Sequence, residues 1–341
     1  MFMGKIFSKR LKEKRIRVGL ILISIILALG ILPGCAEPGS ATTPSTTPAT
    51  QEPAVVYPLT IKDGTRDSKG VTVGREMTFT SAPQRIVSLA PSNTEIVYAL
   101  GLGDKLVGNT TYCDYPEAAK SVAKVGGYST AEVEKIVALK PDLILAANIH
   151  AAKVVPQLIS LNLPVFVVDP RSLQDVLDSI TLVGKVTNVQ AKAANVVKTM
   201  NDRINAVKAK TATLPDAERV RTLMLIWHDP PMTVGPNTFM FELIQLAGGT
   251  SVSKGMADGF PTMGLESIIS ADPQVVITTG MGGAENLTLQ YIKNEPRLKD
   301  IPARKDGRVY EVNQDWTNRM GPRVVDGLEA MAKLIHPELF K

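Results

Sequence analysis

Residue types that could do covalent or metal chemistry are few in this chain, and they are scattered. Its three histidines, His150, His228 and His336, lie far apart, and its two cysteines, Cys35 and Cys113, have no metal-ligand spacing. There is no Gly-x-Ser-x-Gly turn, no His-Glu-x-x-His and no phosphate-binding loop, so hydrolase and nucleotide chemistry lack a signature. His228 follows Trp227 and could ligate a metal-bearing ligand, but a hydrogen-bonding or exposed role is the expectation. The acids that stand out are Glu134 and Glu266, because they open two matching segments. Glu134-Lys-Ile-Val-Ala-Leu-Lys-Pro-Asp-Leu-Ile-Leu145 aligns with Glu266-Ser-Ile-Ile-Ser-Ala-Asp-Pro-Gln-Val-Val-Ile277 at an offset of 132.

Each copy reads as helix, proline stop, strand, since Pro141 and Pro273 lack the amide donor and clash with the preceding turn. Ser129-Thr-Ala-Glu132 has the spacing of a capping box and predicts a helix start near Thr130. Taken alone, both glutamates would suit helix N-termini through the dipole. Upstream, Glu95-Ile-Val-Tyr-Ala-Leu-Gly101 aligns with Glu242-Leu-Ile-Gln-Leu-Ala-Gly248 at an offset of 147. Two matches in the same order argue for related halves. Glu95 and Glu242 are expected to be solvated or structural.

The elements that must carry these residues alternate. Short β-branched or Leu-rich runs at 85–90, 105–108, 142–146 and 164–168 are followed by a second series at 221–227, 274–278 and 308–312. Helical stretches separate them, which is the α/β pattern of mostly parallel sheets covered by helices. Between the two series, apolar residues from Leu173 to Val207 keep a three-to-four spacing, predicting one long helix or two abutting ones. The expected organisation is an α/β lobe at 57–171, a connecting helix at 172–214 and a second α/β lobe at 215–341.

The first 56 residues read differently. Seven Lys/Arg against Glu13 in residues 1–34 leave residues 35–341 with a net charge of −1, although the whole chain carries +5. A nucleic-acid partner therefore has no support in the charge. About fifteen uncharged residues, 18–32, are short for a spanning helix and suit a signal peptide over 1–34. Leu32-Pro33-Gly34-Cys35 resembles the bacterial lipobox, which makes Cys35 the expected lipidation site and the membrane anchor. The Thr/Pro-rich stretch over 35–56 is expected to be a flexible tether. This places the body outside the cytoplasmic membrane, in a periplasm or at the cell surface.

A wider set of strings carries a family resemblance. Pro91-Ser-Asn-Thr-Glu-Ile-Val-Tyr-Ala-Leu-Gly-Leu-Gly103, Tyr112-Cys-Asp-Tyr-Pro116, Val125-Gly-Gly-Tyr128, Ile136-Val-Ala-Leu-Lys-Pro-Asp-Leu143 and Asp315-Trp-Thr-Asn-Arg-Met-Gly-Pro-Arg323 occur in order. Together they resemble the periplasmic-binding family of iron-siderophore, heme and vitamin B12 ABC importers, and within it the cobalamin-binding proteins. The resemblance implies two α/β lobes joined by a long rigid helix, a ligand in the cleft between them, and no catalysis. It implies that Glu134 and Glu266 dock onto arginines of a permease dimer that works with ATPase subunits. It also places Tyr112 and Tyr128 on first-lobe cleft loops and Trp227, Phe260 and Trp316 on second-lobe loops, with Asp315 and Arg319 as polar contacts. The transported ligand is expected to be a corrinoid, with heme or a ferric siderophore as alternatives; no resident cofactor or metal is expected. Core packing is the competing account of Trp227, and a surface ion pair that of Arg319.

Overall fold

The structure is a computed structural model that describes residues 55–67, 70–280 and 286–341. The proposed signal peptide, the lipidation residue Cys35 and the tether up to residue 54 lie outside the described residues. None of the described helices is long and apolar enough to cross a membrane.

A short antiparallel hairpin, β1 (Leu59–Lys62) and β2 (Glu76–Phe79), precedes the first lobe. That lobe runs β3 (Ile86–Ser88), α1 (Pro91–Ala99), β4 (Leu106–Asn109), α2 (Val133–Ala138), β5 (Leu143–Ala146), α3 (Val154–Ser160) and β6 (Val165–Val167). Its four strands are all parallel, in the order β4-β3-β5-β6. Two helices follow, α4 (Leu173–Val186) and α5 (Gln190–Thr211). The second lobe comprises β7 (Val220–His228), β8 (Pro231–Thr233), α6 (Phe239–Leu246), β9 (Gly249–Ser251), α7 (Leu265–Ala271), β10 (Val275–Thr279), α8 (Leu287–Asn294), α9 (Pro302–Lys305), β11 (Val309–Val312), α10 (Gln314–Asn318) and α11 (Val324–Ile335). Its sheet has the order β11-β10-β7-β8, with β9 also on β7, and among the described strands β8 alone runs antiparallel to its neighbour.

Strand alternation explains how the lobes are joined. Successive side chains of a strand point to opposite faces. Ile86, Leu143 and Leu145 of the first sheet and Met224, Ile226, Val275 and Ile277 of the second enter one common core with α4, α5 and α11. Val87, Ile144 and Ala146 point the other way, into a separate core with Ile136 of α2 and Leu158 of α3. Leu223, Leu225 and Val276 likewise pack outward on Leu265 and Ile268 of α7. Each lobe thus spends one sheet face on its own helices and the other on a core shared with its partner.

The connector is two abutting helices, broken at residues 187–189 where Asn188 takes a left-handed conformation. They fold back closely at Gly184, where a Cβ would lie 2.4 Å from that of Ala193. Ser172 caps α4 by accepting from Asp175 N–H, and Glu242 of α6 accepts from Leu173 N–H at 2.9 Å. Arg203 ties α5 to α11 through Asp326 at 2.6 Å and Glu329 at 2.8 Å.

One local expectation fails. The first-lobe helix starts at Val133, with Glu132 as its N-cap, and Ser129 caps nothing. Residues 126–131 instead turn back on themselves through a bridge between Gly126 and Ala131. Gly126, at φ +107°, allows this turn, since a Cβ there would meet Thr130 O at 2.6 Å. The turn uses the backbone that a helix start at Thr130 would need.

Candidate functional site

A cavity of about 500 Å³ opens between the lobes and is lined by residues from both. Its walls come from the segments that follow strands. Pro91 and Ser92 follow β3, Tyr112, Tyr128 and Ser129 lie between β4 and α2, Ala147 follows β5, and Val168, Asp169 and Pro170 follow β6. Gln314, Asp315, Asn318, Arg319 and Met320 follow β11. The crevice beyond the carboxyl ends of parallel strands is the usual ligand position in such sheets.

Two first-lobe tyrosines supply the aromatic surface. Tyr112 is 61% and Tyr128 36% exposed, so both side chains keep surface open at the cavity. Tyr128 is held from behind by the buried His150, whose ring meets it edge-on at 5.7 Å. His150 Nδ1 accepts from Ala147 N–H at 3.0 Å, and Nε2–H donates to the Tyr128 carbonyl at 2.7 Å. The opposite tautomer would set a ring lone pair against that carbonyl oxygen. Burial pushes the His150 pKa down, against the upward pull of the Tyr128 and Ala147 carbonyls, which lie 2.7 and 3.0 Å from its two ring nitrogens.

Beneath the cavity an ionic cluster joins the lobes. Arg323 makes a bidentate pair with Glu95 of α1, at 2.9 and 2.6 Å, and its guanidinium lies 3.9 Å from the centre of the Tyr115 ring. Arg319 pairs with Asp114 at 2.6 Å, with Asp315 at 2.9 Å and with Glu95 at 3.5 Å. Three carboxylates thus face two guanidiniums. Burial raises the Glu95 carboxyl above its ordinary value, outweighing the arginines, whereas at Asp114 burial is overcome by Arg319 and the carboxyl is lowered. Asp169, at the cavity wall, is paired with Arg66 at 2.8 Å.

Of the seven residues expected at a ligand, Tyr112, Tyr128, Asp315 and Arg319 meet in this cavity. Trp227 and Phe260 are exposed in the second lobe at 37% and 47%, outside the cavity lining. The core-packing account of Trp227 therefore does not hold; its Nε1–H donates to Asp229 O, and its ring lies 5.0 Å from that of His228. Trp316 is half-buried against the common core. Cys113 is buried between the Thr94 and Thr110 hydroxyls. No group of His, Cys, Asp or Glu among the described residues could hold a metal ion. Glu95 is 3% exposed, so the solvated alternative for it is excluded. Arg323, Asp114, Tyr115 and His150 were not expected at the site. Asp114 and Tyr115 stand in the quoted Tyr112 string, but the Glu95–Arg323 pair spans 228 residues and leaves no local trace.

Glu134 and Glu266 are exposed in the first turns of α2 and α7. The offset of 132 also relates Tyr128 to Phe260, and Lys140 to Asp272, the left-handed residues that end the two helices at φ 47° and 48°.

The chain matches the model of the periplasmic binding protein family over residues 86–316. It is 35% identical to an uncharacterized ABC transporter substrate-binding lipoprotein, YvrC, of Bacillus subtilis, over 84% of this chain and 88% of that one. It is 30% identical to a vitamin B12-binding protein of Vibrio parahaemolyticus, over 74% of this chain and 90% of the relative. The crystal structure of the periplasmic vitamin B12-binding protein BtuF of Vibrio cholerae superposes with a TM-score of 0.65 at 26% identity, covering 76% of this chain and 98% of that one. The two α/β lobes, the cleft between them and the matching relatives agree: this chain belongs to the periplasmic binding protein family.

Proposed function

We propose that this protein is the lipid-anchored receptor of an ABC importer, capturing a corrinoid in the interlobe cleft and delivering it to a permease dimer with its ATPase subunits. The family is one of substrate-binding transport proteins, not enzymes. The observation that carries the choice of ligand is the charge of the cleft. Arg319, its lining guanidinium, is already held by Asp114 and Asp315, and Asp169 adds a further acid to the wall. An anionic chelate such as heme or a ferric siderophore would need cations that are free to pair with it. A corrinoid is near neutral and rimmed with amides, and it suits tyrosine walls with a few polar anchors.

In this reading Tyr112 and Tyr128 stack on one side of the ligand, Asp315 and Arg319 hydrogen-bond its side chains, and Trp227, Phe260 and Trp316 stand on the second lobe beyond the cavity lining, where they would meet the parts of a large ligand that project from it. Glu134 and Glu266 dock onto permease arginines. Cys35 carries the lipid, and the body works outside the cytoplasmic membrane; the lipoprotein relative supports this. The test is titration calorimetry of the full chain with cyanocobalamin, hemin and a ferric hydroxamate. Saturable heat with cyanocobalamin is expected; heat with hemin alone would contradict the assignment.

A further inference from the structure

The docking helices carry a second feature that repeats. Val137 lies one turn after Glu134 on α2, and Ile269 lies one turn after Glu266 on α7, so in each helix the acid and the aliphatic share a face. Both aliphatics are bare, at 40% and 41% exposure. Their buried neighbours Ile136 and Ile268 already anchor each helix to its own lobe, so Val137 and Ile269 are not needed for that.

Resting on the permease-docking reading above, we propose that Val137 and Ile269 are the apolar anchors of that docking surface, each entering an apolar pocket beside the arginine that receives the adjacent glutamate. The partner's chemistry follows from the duplication. An acid and a branched aliphatic occur twice, at the same offset of 132, and this suits a partner that offers one cationic, apolar-centred site twice, as a symmetric dimer does. The pairs differ where docking would not require identity, for Lys135 and Ala138 are replaced by Ser267 and Ser270.

Both patches are stiffened in the same way. Arg85 Nε–H donates to the Leu139 carbonyl at 3.1 Å and Arg221 Nε–H to the Asp272 carbonyl at 2.9 Å, clamping the ends of the two helices. A surface held in place loses little freedom on binding. The division of labour is physical. The glutamates steer and orient through charge, and the aliphatics hold by excluding water, which salt does not screen.

The test measures association of the full chain with its permease–ATPase complex in lipid nanodiscs, at about 0.05 M and about 0.5 M salt. Val137→Ser with Ile269→Ser should weaken association by about tenfold or more, to a similar extent at both salts. Glu134→Ala with Glu266→Ala should weaken it most at low salt, and Val137→Leu with Ile269→Leu should keep it. Wild-type association by the serine pair, with loss in the alanine pair, would overturn the anchors and leave the docking reading standing. Wild-type association by both pairs would overturn the two together.

Discussion

In the first lobe α2 exposes Glu134 and Val137, buries Ile136, and ends on the left-handed Lys140; in the second, α7 exposes Glu266 and Ile269, buries Ile268, and ends on the left-handed Asp272. The supporting bonds match too, for Asp142 accepts from Arg85 N–H at 2.7 Å and Gln274 from Arg221 N–H at 2.9 Å. Toward the cleft the likeness stops. The first lobe brings Glu95 and Asp114, two exposed tyrosines and a histidine clamp, whereas the second brings Arg319 and Arg323. The outward helices have kept one design, while the facing surfaces have become complementary in charge. Under the proposed function, the difference teaches that the lobes stay alike where a twofold partner would read them and diverge where they meet each other and would grip one asymmetric ligand.

The sharpest break of this comparison is to remove one side of the interlobe pair. Arg323→Ala leaves the Glu95 carboxylate buried without its bidentate partner, and a stability loss of about 3–5 kcal/mol is expected in urea unfolding. Glu95→Gln combined with Arg323→Met should recover most of it, because the buried pair itself repays little beyond its desolvation. Burial holds the Glu95 carboxyl above its ordinary value. Removing the guanidinium raises that carboxyl further, so the loss in Arg323→Ala should be smallest below the wild-type folded value and should grow as pH rises through it. An unchanged unfolding midpoint would show that the lobes are held by the common core alone.

A smaller effect compares one aromatic from each lobe that the proposed function sets against the ligand, Tyr128 in the cavity lining and Phe260 beyond it. Tyr128→Ala and Phe260→Ala should each weaken cyanocobalamin binding by about tenfold, as expected for truncating a contact ring. A loss confined to Tyr128 would mean that the ligand leans on the first lobe only.

The smallest effect concerns the His150 clamp of the first lobe, which has no counterpart among the described residues of the second. Because the folded His150 pKa is lowered by burial, its contribution to stability is complete above the unfolded value of about 6.5 and is lost as pH falls through the folded value. Acid should thus loosen the Tyr128 turn, with a fall in unfolding free energy between neutral and mildly acidic pH. His150→Gln should flatten that dependence; a wild-type pH profile in the variant would assign the slope to another group.

Much of this was legible because it is local. The proline stops, the αβ alternation and the two glutamate-led strings are each contained within a dozen residues, so the two-lobe α/β fold and the matched helices could be read from periodicity and repetition. The ionic cluster could not, since Arg319 reaches Asp114 across 205 positions and Arg323 reaches Glu95 across 228. The same limit explains the misplaced helix start. Ser129 and Glu132 have the right spacing for a cap, but the Gly126–Ala131 bridge takes the backbone first. The three-residue strands β8 and β9 and the β1–β2 hairpin are too short to show a period.

The proposed corrinoid cargo is read most directly in the absorbance spectrum of the protein solubilised gently from its native membrane. A corrin spectrum, displaced by added cyanocobalamin, is the predicted result. An iron-porphyrin Soret band that cyanocobalamin fails to displace would contradict it.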